Sequence, residues 1–103
     1  MVSDNEIDGL PVKAAGLEVF PEADGYVVYQ AAREKVHFLN HTAVFVLELC
    51  DGLHSVAEIQ AIFRETFPPA ADPERAVDDI LGSFVGEELI RIDHPAATAS
   101  STT

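Results

Sequence analysis

The spacing of apolar residues changes once along this chain, near residue 40. On the N-terminal side, short runs of apolar and β-branched residues alternate with turn residues, whereas on the C-terminal side apolar residues recur every three or four positions. A period of two is typical of strands, and a period of 3.6 is typical of helices. The sequence therefore predicts a sheet followed by helices, which is an α+β fold.

Three strands are predicted before residue 40. Residues 17–20 form a short candidate, and Gly25–Gln30 is rich in aromatic and β-branched residues. The third strand is Lys35–Leu39, and the short turns between these runs predict a three-stranded antiparallel sheet. The alternation of this third strand places Val36 and Phe38 on one face, and Lys35, His37 and Leu39 on the other.

Three helices are predicted after residue 40. Residues 41–50 have apolar residues at helical spacing and form the first helix. Ser55 and Glu58 have the spacing of a capping box, in which each side chain accepts a hydrogen bond from the backbone of the other, at the start of the second helix. The third helix begins at Asp72, a suitable N-cap that is followed by Pro73 at the first helical position.

The predicted order is three strands, three helices and a short extended segment at residues 89–92. This order predicts a winged helix-turn-helix arrangement, with the first two helices as the helix-turn-helix pair. We expect residues 17–93 to form the folded domain. Residues 1–16 are expected to be a flexible N-terminal segment, and residues 94–103, which contain no large apolar residue, are expected to be a disordered tail.

The chain carries 18 acidic and 6 basic residues, which gives a formal net charge of −12. This excess of negative charge opposes non-specific binding to nucleic acids and to anionic membranes, which are themselves polyanionic. No signal peptide is apparent, and the densest apolar run, residues 43–47, is far shorter than the roughly 18 residues of a spanning helix. We therefore expect a cytoplasmic protein with neither a nucleic acid nor a membrane as its partner.

The sequence offers little that could carry out catalysis. Cys50 lies in phase with the apolar positions of the first helix, which predicts a packed thiol rather than a nucleophile or a ligand. His37, His41 and His54 do not share one helix face and are expected to be edge or loop residues. The sequence contains no phosphate-binding glycine loop and no GxSxG or HExxH motif. We predict no enzyme activity, no cofactor and no metal.

The third strand is the feature that predicts a function. As the last strand before the helices, it is expected at a sheet edge, where free N–H and C=O groups can pair with an extended peptide. The third helix would supply apolar pockets beside this strand. Basic residues near the strand would form a positive spot that favours an acidic peptide. The predicted peptide-binding residues are Arg33, Lys35, Val36, His37, Phe38, Leu39, Arg75, Val77, Ile80, Leu81 and Phe84. Coverage of this edge by the N-terminal segment, or by a second copy in a homodimer, remains open.

Several motifs follow one another in a characteristic order. The step Leu39-Asn40-x-Thr42 leads into the first helix, and Asp51-Gly52 and the capped helix at Ser55 follow. This series resembles the PqqD-like family, the peptide chaperones or recognition elements of ribosomal peptide natural-product pathways, over about residues 17–92. The resemblance implies a winged helix-turn-helix that binds the leader of a precursor peptide as an added strand. It also implies delivery of that peptide to a modifying enzyme, most often a radical S-adenosylmethionine enzyme.

The end of the third helix departs from the family pattern. Many members have a glycine just before the final Leu-Ile pair, where this chain has Glu88. Gly82 and Gly86 lie four residues apart in the same region, and each interior helix glycine costs about 1 kcal/mol relative to alanine. Either another element approaches this face closely, or the glycines reflect ordinary helix packing and fraying.

A winged-helix DNA-binding regulator is the alternative function. Such a protein needs a basic recognition helix and wing. The second helix offers Arg64 but also Glu58 and Glu65. The sequence therefore favours peptide binding over DNA binding.

Overall fold

The computed structural model describes residues 9–68 and 71–93. They form an α+β fold, as predicted, with a three-stranded antiparallel sheet, three helices and a second sheet of two strands. The strands are β1 (Leu10–Lys13), β2 (Leu17–Glu22), β3 (Gly25–Gln30), β4 (Lys35–Leu39) and β5 (Ile90–Asp93). The helices are α1 (His41–Leu49), α2 (Val56–Thr66) and α3 (Pro73–Gly86), and a 3-10 turn spans Ala31–Arg33.

The predicted meander is confirmed, with β3 in the middle and β2 and β4 on either side. The register sets Phe20 opposite Val27, and Val27 opposite Phe38. Gly25 begins β3 where it passes close to β4: a Cβ at this position would lie 2.5 Å from the carbonyl oxygen of Leu39. Only a residue without a side chain fits this contact, so Gly25 fixes how closely the two strands approach.

The second sheet was not predicted. Leu10–Lys13, within the segment expected to be flexible, forms β1 and pairs antiparallel with β5, close to the extended segment that the sequence predicts at residues 89–92. Pro11 is fully buried, and its carbonyl accepts a hydrogen bond from the N–H of Gly52 at 2.9 Å. The N–H of Lys13 donates to the carbonyl of Cys50 at 2.8 Å. Four residues that include a proline carry too weak a pattern for recognition as a strand.

The helix starts agree with the capping residues in the sequence. Asn40 accepts a hydrogen bond from the N–H of Ala43 at 2.8 Å. Ser55 and Glu58 form both bonds of the predicted capping box, at 3.1 and 2.8 Å. Asp72 accepts from the N–H of Arg75 at 3.1 Å. Because these caps satisfy N–H groups that have no partner within their helix, they fix where each helix begins.

The core lies between the inner face of the three-stranded sheet and the three helices. Val28 supplies the centre of the sheet, and Leu47 and Ile59 come from α1 and α2. The apolar stripe of α3 completes this cluster. Cys50 is fully buried among these residues, so the prediction of a packed thiol is confirmed.

Among residues 9–68 and 71–93, no helix combines the length and the apolar character that crossing a bilayer requires. The expected disordered tail at 94–103 and the first eight residues of the expected flexible segment lie outside the described residues. The winged helix-turn-helix assignment and the domain limits stay predictions.

Candidate functional site

The free edge of β4 is the main candidate site. β4 pairs with β3 along one side, and on its other side no strand of the described residues pairs with it. β1, which could have covered this edge, pairs with β5 instead. Residues 1–8 lie outside the described residues, so coverage by them stays a prediction. A strand edge of this kind presents backbone donors and acceptors that an extended chain can pair with.

The opposite edge of the sheet, formed by β2, is less suited to strand addition. Pro21 has no backbone N–H and interrupts the row of donors. Glu18 and Glu22 add negative charge to the same strand. Proline and charged residues are common means of blocking an exposed edge. The two edges are therefore unequal, and among the described residues the edge of β4 is better suited to pairing with a partner chain.

The outer face of the sheet is apolar where it reaches this edge. We define the outer face as the side of the three strands that carries Phe20, Val27, Tyr29, Val36 and Phe38, with Glu18 and Glu22 on the same side of β2. The side chain of Phe38 is 80% exposed, and that of Val36 is 52% exposed. The predicted alternation of β4 is confirmed, and Val36 and Phe38 are its solvent-facing members. Exposed apolar residues that lie side by side often mark an interaction surface.

On the inner face, β4 is joined to the end of α3 through a hydrogen-bonded glutamine. The Gln30 side-chain nitrogen donates to the carbonyls of Glu87 and Glu88, at 3.3 and 3.0 Å. Its side-chain oxygen therefore faces His37 and accepts a hydrogen bond from His37 Nε2 at 2.8 Å. Gln30 is buried, and sequence reasoning missed its role. A polar residue at the inner-face position of an otherwise apolar strand is the signal that could have identified it.

The basic residues predicted to form a positive spot each lie beside an acidic residue. Arg33 Nη1 donates to the carbonyl of Glu87 at 2.8 Å, and Arg33 Nε lies 3.8 Å from the carboxylate of Glu88. Lys35 Nζ lies 4.0 Å from the carboxylate of Glu87. Two acids thus offset the two cations. Arg75 lies near the other end of α3, about 18 Å away at 1.5 Å per residue, and is 4.0 Å from the carboxylate of Asp79.

The α3 residues predicted to line peptide pockets also pack in the core of the domain. Val77, Leu81 and Phe84 are buried in the core, and Ile80 is half-buried against it. The sheet and the other two helices use this stripe to form the core, and a role of these residues in lining peptide pockets stays a prediction. Lys35, Val36, His37, Phe38 and Leu39 remain together on β4.

A cleft of about 350 Å³ lies at the C-terminal end of β4 and was not predicted. It is lined by Glu22, Ala23, Asp24, Gly25, Tyr26, Phe38, Leu39 and Asn40. Its lining joins the exposed Phe38 to residues of the turn between β2 and β3. The cleft therefore continues the outer face toward an acidic turn.

The residues considered for nucleophilic chemistry or metal binding lie in separate surroundings. Burial, with a smaller effect of Asp51, raises the pKa of the Cys50 thiol to about 12, and its Sγ donates to the carbonyl of Val46 at 3.3 Å. His54 lies 3.0 Å from Asp51 and lowers the pKa of that carboxyl through a hydrogen bond. His41 packs edge-on against Tyr26, with ring centres 5.4 Å apart. In the part of the chain that the structure describes, no group of three or more histidine, cysteine or acidic residues could hold a metal ion.

Comparison with known families decides the relationship. The family model of coenzyme PQQ synthesis protein D (PqqD) matches residues 25–90, which include β3, β4 and all three helices. The chain belongs to the PqqD family. Comparisons with curated proteins and with solved structures gave no match. The matched span contains the whole of β4 and leaves out β1 and β2.

In this PqqD family member, the departure at residue 88 has a structural explanation. Glu88 has a φ of 61°, in the left-handed region that glycine adopts most easily. α3 ends at Gly86, and the chain turns through Glu87 and Glu88 into the buried Leu89. The turn that suits a glycine is therefore kept here with a glutamate.

Proposed function

We propose that this PqqD family member is a non-catalytic peptide chaperone. It binds the leader region of a ribosomally made precursor peptide as a fourth strand on the free edge of β4. It then presents the peptide to a modifying enzyme, of the radical S-adenosylmethionine class. The observation that carries this proposal is a five-residue strand edge that no strand of the described residues covers and that lies inside the span matched by the family model.

Strand addition suits the chemistry of this edge. Main-chain hydrogen bonds set the register of the peptide, and side chains at alternate positions add selectivity. Ordering a flexible leader costs free energy, which limits the affinity that these contacts can give. Transfer to an enzyme requires release, so a site of moderate affinity fits a chaperone.

An accessory role is also supported by what surrounds the edge. The cysteine is a buried, protonated thiol, and the Asp51–His54 pair lies in the turn between α1 and α2. Neither group lies on β4 or at its edge. The PqqD family takes part in the synthesis of a coenzyme, and a peptide carrier within such a synthesis needs no reactive group of its own.

The alternative, a winged-helix DNA-binding regulator, gains no support from the described residues. Arg64 of α2 donates to the carboxylate of Glu74 at 3.2 Å, and Arg75 of α3 lies near Asp79. Cations already matched by acids on the same surface are poorly placed to contact phosphates. A mobility shift with duplex DNA that fades steeply as salt rises would favour this alternative.

The test uses paired proline variants on β4. In an antiparallel strand, the N–H groups of neighbouring residues point in opposite directions. Of His37 and Phe38, one therefore directs its N–H toward β3 and the other directs it toward the free edge. Proline at the second of these positions removes a donor from the free edge. We expect that variant to stay folded and to bind the leader about five- to ten-fold more weakly, roughly the value of one main-chain hydrogen bond. The ligand is a synthetic peptide copied from a candidate precursor, which is sought among short reading frames near this chain's gene, and calorimetry measures the affinity.

The control is an equivalent pair of proline substitutions, Val19→Pro and Phe20→Pro, on β2, the strand at the opposite edge of the sheet. The variant of this pair that stays folded is expected to keep its affinity. Unchanged affinity in the folded β4 variant contradicts strand addition. A homodimer that uses the same edge stays a prediction, and it would appear as a dimer that dissociates when the leader is added.

A further inference from the structure

The outer face raises the question of which peptide fits the β4 edge. Val36 and Phe38 are the two outer-face residues of β4, and both are at least half exposed. Phe20, on the far strand, is 47% exposed. Large apolar side chains in such exposed positions gain free energy when a neighbouring side chain removes them from water.

The geometry of a sheet determines which peptide residues would cover them. On an added strand, the residues beside β4 that share the outer face have Cβ atoms about 4.5–5.5 Å from those of their partners. Because side chains alternate, the partners of Val36 and Phe38 are two residues apart in the peptide. The residue between them faces the inner side, where His37 already has a hydrogen-bonded partner in Gln30.

Charge gives little selection at this edge. Arg33 and Lys35 lie near the carboxylates of Glu88 and Glu87. At the other end of β4, the cleft beside Phe38 contains Glu22 and Asp24, which disfavour an acidic residue there. The expectation of an acidic peptide is therefore not what the assembled edge favours.

We propose, resting on the function proposed above, that the recognised peptide carries apolar or aromatic residues at positions i and i+2. These two side chains pair with Val36 and Phe38 across the outer face. The ligand class is an extended segment with alternating apolar residues, selected by shape and burial rather than by negative charge. The Val36–Phe38 pair is therefore the specificity determinant of the edge.

The experiment selects peptides from a random 12-residue display library against the immobilised full-length chain. The selected peptides are synthesised, and their effect on the backbone amide signals of the isotope-labelled chain locates the site of binding. We expect the signals of residues 35–39 to shift, and the selected sequences to be enriched in apolar residues two positions apart. Moving one apolar residue to the adjacent position, with composition unchanged, is expected to weaken binding.

Matched variants distinguish specific pairing at the β4 edge from non-specific binding to the apolar outer face. Phe38→Thr keeps a residue of high strand propensity and is expected to weaken binding of the selected peptides about two- to five-fold, as one cross-strand pair predicts. Phe20→Thr, on the same face but about 14 Å from an added strand at 4.8 Å per strand, is expected to leave the affinity unchanged.

The outcomes distinguish the two proposals. If peptides shift residues 35–39 but lack the i, i+2 pattern, or if Phe38→Thr and Phe20→Thr behave alike, the specificity proposal fails and strand addition stands. If the library gives no binders, or if binders shift signals away from β4, strand addition itself fails, and the specificity proposal fails with it.

Discussion

Glu88 has a side chain but adopts a left-handed backbone conformation that favours glycine. Its φ of 61° costs a residue with a side chain about 1–2 kcal/mol relative to a right-handed conformation. The carboxylate lies 3.8 Å from Arg33, but both side chains are partly exposed, and pairs of this kind contribute little. The position therefore favours glycine on conformational grounds.

Replacing Glu88 by glycine is expected to stabilise the protein. The left-handed strain is removed, while the greater freedom of glycine in the unfolded chain offsets part of the gain. We expect Glu88→Gly to raise the free energy of unfolding by about 0.5–1 kcal/mol, measured by urea denaturation. Glu87→Gly is the matched control, because Glu87 has a φ of −91° and should lose stability. A loss of equal size in both variants would contradict the argument.

At the scale of elements, α3 contains two glycines whose purpose the sequence left open. A Cβ built at Gly82 or Gly86 meets no atom within 4 Å. No element of the described chain therefore approaches either position closely, and the explanation by close approach within this domain is wrong. The two glycines therefore lower the stability of α3 through their low helix propensity, without a close contact in the described residues that requires them.

Replacing Gly82 by alanine is therefore expected to strengthen α3. The gain in free energy of unfolding should be about 1 kcal/mol, because alanine loses less backbone entropy on forming a helix. Thermal unfolding measures it. Gly25→Ala is the contrasting control, since its Cβ would lie 2.5 Å from the Leu39 carbonyl oxygen and must push β3 and β4 apart. A destabilised Gly82→Ala variant would show that the position serves a contact outside the described residues.

The strands show what local pattern can and cannot predict. β3 and β4 were predicted with the bounds that the structure gives them, because each has several β-branched or aromatic residues between turn residues. β1 was missed because its four residues include a proline and form a strand only against β5 and the turn after α1. β1 and β5 pair although they are about 80 residues apart in the sequence. The local spacing of apolar residues cannot indicate such a distant pairing.

At the scale of the whole molecule, the buried thiol makes stability depend on pH. Burial is the main cause that raises the pKa of the Cys50 thiol from its ordinary value of 9.0 to about 12. Above pH 9 the unfolded chain loses this proton while the folded chain keeps it. The folded state therefore binds more protons than the unfolded state, and the free energy of unfolding falls as pH rises from about 9 toward 12.

The expected slope is at most about 1.4 kcal/mol per pH unit from this one group. Denaturation curves of the native protein and of Cys50→Ala, recorded at intervals between pH 8 and about 11, measure it. The alanine variant is less stable at pH 8, because it leaves a cavity, but it lacks this part of the decline. The difference between the two proteins should therefore narrow as pH rises. A constant difference would show that Cys50 does not titrate differently in the two states.

The sequence by itself determined the strands β2 to β4, the three helices with their caps and the alternation of β4, and hence that Val36 and Phe38 share one face. These features depend on residues within a few positions of one another, so their physical causes are present in the local sequence. Only the tertiary structure decided that the apolar stripe of α3 packs in the core. It also decided that Glu87 and Glu88 lie near Lys35 and Arg33, and that β1 pairs with β5 rather than with β4. Those outcomes depend on which distant surfaces meet, because burial and charge pairing are properties of contacts between elements rather than of spacing along the chain.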